Sequence, residues 1–108
     1  MDPAKPDIAV SDVVVSIAGR DQGEWFYVLN ADQTYLYLAN GRDRTLDKPK
    51  RKKRKHVEKV LRSETRVAAK LRSGDKVLNS ELRRELASIG REFNVSTKEG
   101  SETWQKTT

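Results

Sequence analysis

Val13-Val-Val-Ser-Ile-Ala-Gly-Arg-Asp-Gln-Gly-Glu-Trp-Phe-Tyr-Val28 places two strand signals around a glycine-bounded loop. Ahead of the loop, Val13, Val15 and Ile17 fall on one side of a period-two backbone, with Asp12, Val14 and Ser16 on the other. Gly19 and Gly23 can take positive φ at little cost and Asp21 can close the turn through its own side chain, so 19–23 reads as a tight, ordered loop. After it, the aromatic and β-branched run 25–29 reads as a second strand.

Beyond this stretch, 30–33 is polar turn material and 35–39 is a third run of strand formers. Asn40-Gly41 is a hairpin signal, because a two-residue type I′ turn needs positive φ at both centres. It predicts a fourth strand over 42–46, with Arg42, Arg44 and Leu46 on one side and Asp43 and Thr45 on the other. The run Lys48-Pro-Lys-Arg-Lys-Lys-Arg-Lys55 follows; Pro49 ends regular pairing and six consecutive cations repel, so 48–55 is expected to be an arm ordered only by a partner. A short fifth strand is expected over 56–61, through Val57 and Leu61.

Beyond it the period changes. Ser63 is placed as an N-cap with Glu64 at the positive end of a helix that carries Val67, Ala68 and Leu71 on one stripe and stops near Gly74. A second helix is expected to begin after Asn79 or Ser80, burying Leu82, Leu86, Ile89 and Phe93 on one face, with Val77 and Leu78 packing the connection. The expected organisation is therefore a loose leader at 1–9, a β domain at 10–61 that includes the arm, a two-helix appendage at 62–93, and a tail at 94–108 without apolar period around Trp104.

Composition narrows the function. The chain has no cysteine, which excludes a disulfide framework and thiol chemistry. No apolar stretch is long enough for a membrane span and the first residues lack signal-peptide order, so a cytoplasmic protein is expected. The net charge of +6 is concentrated: ten basic and three acidic residues over 42–59 leave +7 there and −1 in the remainder. Charge gathered in one stretch points to a polyanion at a defined surface, nucleic acid first.

The 13–28 stretch resembles the KOW motif, and Ala39-Asn-Gly-Arg-Asp-Arg with Lys48-Pro-Lys-Arg-Lys-Lys is similar to bacterial KOW-domain RNA-binding proteins related to ribosomal large-subunit proteins. The resemblance spans about residues 12–55 and extends weakly to the helix start at 79–83. Gln22 stands where that family usually carries a lysine, and Phe26 where a further glycine is common. The resemblance implies a mainly β, α+β fold: an SH3-like KOW β-barrel of five strands followed by two short α-helices. It further implies RNA contact through the first loop, by Arg20 and Asp21, with Gly19 and Gly23 shaping it. Structured ribosomal RNA is the expected partner, with ribosomal proteins as further neighbours.

The side-chain chemistry agrees. Arginine offers paired planar donors to phosphate or a guanine edge and lysine a flexible point charge. Arg42 and Arg44 are therefore expected to position RNA, and Lys48, Lys50, Arg51, Lys52, Lys53, Arg54 and Lys55 to attract it. Trp25 and Tyr27 are either base-stacking platforms or core residues, the core being the more common fate of such side chains. No enzyme chemistry is expected. His56 has no companion for a metal site or triad, Asp43 and Asp47 sit among cations, and no phosphate-cradling glycine loop or cofactor motif occurs. Two alternatives remain: a DNA-binding helix-turn-helix over 64–72 and 80–91 with Arg83 and Arg84 in the groove, and a protein-interaction adaptor whose basic run meets an acidic surface.

Overall fold

The alternation along β1 (Asp12–Ser16) is kept, and both of its faces are covered. In a computed structural model that describes the backbone of residues 7–100 and side chains as far as 92, β1 is followed by β2 (Trp25–Ala31), β3 (Tyr35–Ala39), β4 (Lys50–Lys53) and β5 (Val57–Arg62), then α1 (Arg66–Ser73) and α2 (Asn79–Gly100). The strands form one antiparallel sheet in the order β4-β3-β2-β1-β5, so β4 and β5 are its edges. The expectation of an α+β, mainly β chain with two C-terminal helices is met.

The connection between the edges makes the sheet curl. Laid flat, five strands about 4.8 Å apart would separate the outer two by about 19 Å. β4 and β5 are joined by a single 3-10 turn, Arg54–His56, whose rise is only about 2 Å per residue. The Ile17 N–H at the end of β1 donates to the His56 carbonyl, and the Arg54 N–H donates to Thr34 at the β2–β3 turn. No ladder joins β4 to β5 among the described residues.

One side of the sheet packs Val14, Phe26, Val28, Leu36, Leu38 and Val57 into a core. The other brings Val13, Tyr27 and Ala39 against Val67 and Ala68 of α1 and Leu82 and Ile89 of α2. β2 can serve both because its side chains alternate, and a register shift between Val28 and Asn30 adjusts its far end. Tyr27 is fully buried, and its hydroxyl bonds Ser63 at 3.0 Å; of its two expected fates, it takes the core.

Several boundaries differ from expectation, each for a local reason. Ile8, assigned to the leader, is 1% exposed and belongs to the first core. The 42–46 strand does not form: Asn40 keeps negative φ, and its side-chain oxygen accepts the N–H groups of Arg42 and Arg44, which shapes 40–44 as a loop. Strand pairing resumes only at β4, so the segment expected to be an unpaired arm is the edge strand itself, Tyr35 opposite Lys53 and Leu38 opposite Lys50. Thr65, not Ser63, caps α1 by accepting the Ala68 N–H, because Ser63 is drawn inward to Tyr27. Gly74 ends α1 in the left-handed conformation as expected. α2 continues to Gly100, through part of the segment expected to be a tail; residues 1–6 and 101–108, with Trp104, lie outside the described residues.

Candidate nucleic-acid interface

A strand turns successive side chains to opposite faces, and in the basic run this divides the cations into two sets. Lys50, Lys52 and Arg54 turn inward. The Lys52 ammonium, 8% exposed, donates to the Ala18 carbonyl at 2.8 Å and to Asp21 Oδ1 at 2.9 Å. Lys50 Nζ stands 3.0 Å from Asp21 Oδ2. Arg54, 9% exposed, donates from Nε to the Asp32 carbonyl at 2.7 Å and from Nη1 to the Ile8 carbonyl at 3.1 Å. Arg51, Lys53 and Lys55 face solvent.

Asp21 is thus a fastener. Burial raises its carboxyl pKa, but hydrogen bonds from Lys52, Ser16 and Lys50 outweigh that and hold it far below the usual carboxylate range. Its Oδ1 also accepts the Ser16 hydroxyl at 2.7 Å. The glycines do what the sequence asked of them, Gly19 at φ 85° and Gly23 at φ 93°. Arg20, beside this locked carboxylate, is exposed. The first loop therefore presents Arg20 and keeps Asp21, expected to touch RNA, for itself.

Arg42 and Arg44 also reach solvent, on a loop clamped to α2. Asn79 Oδ1 accepts the Leu46 N–H at 2.8 Å, and Arg83 Nη1 donates to the Gly41 carbonyl at 2.6 Å. Gly41 has φ 77°, and a Cβ there would run into the Asn79 carbonyl, so this close approach requires glycine. Asp43 and Asp47 are both held below the usual carboxylate range. The leading cause is a side-chain hydrogen bond, from Asn40 and Thr45 respectively, ahead of the neighbouring cations.

Sequence reasoning missed two aromatics. Tyr35 and Tyr37 share the outward face of β3, half-buried, across from Lys53 and Arg51 of β4. The Arg51 guanidinium lies 4.4 Å from the centre of the Tyr35 ring, a cation–π contact. The signal was the Tyr-Leu-Tyr-Leu alternation of 35–38, which places both phenols on the face opposite Leu36 and Leu38. Around the end of β4, Lys53, Lys55, Gln33 and Thr34 line a shallow cavity of about 260 Å³.

The arrangement offers a cationic, partly aromatic sheet face flanked by exposed arginines on bonded loops. Among the described residues no group of three or more acidic, histidine or cysteine side chains is placed to hold a metal, and no helix is long and apolar enough to cross a membrane. The chain matches no protein-family model and no curated protein.

Proposed function

We propose that this chain is a non-catalytic, cytoplasmic RNA-binding module of the SH3-like KOW kind, acting on structured ribosomal RNA. The observation that carries the reading is the division of the basic strand. Arg51, Lys53 and Lys55 stand outward beside Tyr35 and Tyr37, while their sequence neighbours are consumed by internal bonds. Cations supply the attraction to phosphate, and aromatic rings supply a surface for unpaired bases. Arg20, Arg42 and Arg44 add exposed donors on ordered loops. The short β4–β5 connection and the fastening of the β1–β2 loop to β4 support closure into a small barrel. A lysine-rich edge strand also resists edge-to-edge pairing with other chains, but that role needs neither the tyrosines nor the arginines of the loops.

The helix-turn-helix reading has less in its favour. Leu82 is fully buried and Arg83 is engaged with the Gly41 carbonyl, so the first turn of α2 serves the fold where a recognition helix would offer its side chains to DNA. The test is competition among structured RNA, single-stranded RNA and duplex DNA at several salt concentrations. The expected result is preference for structured RNA, with log affinity falling against log salt at a slope of about −3 to −5. A flat salt response, or preference for duplex DNA, would reject the proposal.

A further inference from the structure

Between the β3–β4 loop, the start of β2 and the outer side of α2 lies a cleft of about 350 Å³. Trp25 and Leu86, both half-buried, give it an apolar surface, and Ala87 sits at its α2 side. Beside the Asn40 amide, its charged groups come in two kinds: the guanidiniums of Arg42 and Arg83, and the carboxylates of Asp43 and Glu24. The loop on one side is built as a fixed part. Asn40 accepts the Arg42 and Arg44 N–H groups and donates to Asp43 at 2.9 Å, while Arg83 and Asn79 tie the same loop to α2. The Asp43 carboxylate and the Arg83 guanidinium are so held before a ligand arrives, which lowers the ordering cost of binding.

Resting on the RNA-binding reading above, we infer that this cleft receives one unpaired guanine base, separate from the phosphate-attracting face of β4. The volume admits a base with its ribose. Trp25 offers a ring for stacking. Guanine carries adjacent N–H donors at N1 and N2, which suit a carboxylate acceptor, and adjacent acceptors at O6 and N7, which suit a guanidinium. Adenine, cytosine and uracil lack one or the other pair, so a cleft with two carboxylates and two guanidiniums selects among bases where an all-cationic one would not.

The test uses five-nucleotide RNAs, UUGUU, UUAUU, UUCUU and UUUUU, titrated into the 108-residue chain carrying Trp104→Phe while the fluorescence of Trp25 is followed. UUGUU is expected to bind about tenfold tighter than the other three and to change Trp25 emission. Asp43→Asn should erase that preference. Because Asp43 also accepts a bond from Asn40, a second variant is needed. Ala87→Glu, at an exposed helix position, should block the cleft and erase the guanine preference while UUUUU binding stays at its original strength. Equal binding of all four RNAs with unchanged salt dependence would overturn the guanine cleft and leave the RNA-binding reading standing. Binding of none of them, together with a flat salt response on structured RNA, would overturn both.

Discussion

At Lys52 the ammonium is buried between Asp21 and the Ala18 carbonyl, whereas the next side chain, Lys53, stands in solvent. Lys52→Ala leaves Asp21 with Lys50 as its one remaining cation and should cost about 2–4 kcal/mol. Lys53→Ala should stay within about 0.5 kcal/mol of the parent and weaken RNA binding; urea unfolding and an RNA titration on each variant check the contrast. Asp21 gives this fastening a pH signature. Its folded pKa lies below the ordinary 3.8, so the stability it contributes is complete above the ordinary value and is lost as pH falls through the depressed one. Stability measured from pH 6 down to pH 2 should fall less steeply in Asp21→Asn, which is already weaker at pH 6. Some acid dependence should persist, because Asp32, Asp43, Asp47 and Glu81 are shifted in the same direction. Gly41→Ala meets both a left-handed backbone and the Asn79 carbonyl and should cost more than about 1–2 kcal/mol. Gly23→Ala has open space and should cost less.

Among the elements, β1, β2 and β3 were legible because apolar alternation is a direct imprint of a two-sided sheet, and α1 because Gly74 marks its end. β4 was not legible. A run of lysines and arginines shows no apolar period, and repulsion argues against order; the groups that neutralise its inward half, Asp21 and the carbonyls of Ala18, Asp32 and Ile8, lie far away in sequence. Asn40-Gly41 misled for a related reason, since the Asn40 side chain satisfies the Arg42 and Arg44 N–H groups and so competes with a tight hairpin. Of the candidate site residues, Arg20, Arg42, Arg44, Lys48, Arg51, Lys53 and Lys55 are outward, and Asp21, Lys50, Lys52 and Arg54 are used internally. The helices carry their own tests. Thr65→Ala removes the α1 cap and should cost about 1 kcal/mol. Leu82→Ala, at a fully buried position, should cost about 2–5 kcal/mol, and the half-buried Leu86 less. Both leucine variants should weaken RNA binding only in proportion to unfolding.

For the molecule as a whole, the ten basic residues of 42–59 overstate the cations a partner meets. Part of the basic stretch holds the curled sheet together by tying its β4 edge to the first loop and to the segment before β1. The remainder stands outward beside two tyrosines and the arginines of two loops. The proposal this supports is that the outward half, and not the run as a whole, binds RNA. It is tested most directly by replacing Arg51, Lys53 and Lys55 together with Ala and measuring RNA affinity against salt alongside thermal unfolding. The expected outcome is a native melting transition, a marked loss of affinity, and a salt slope shallower by about 2–3. An unchanged slope in a folded triple variant would contradict it.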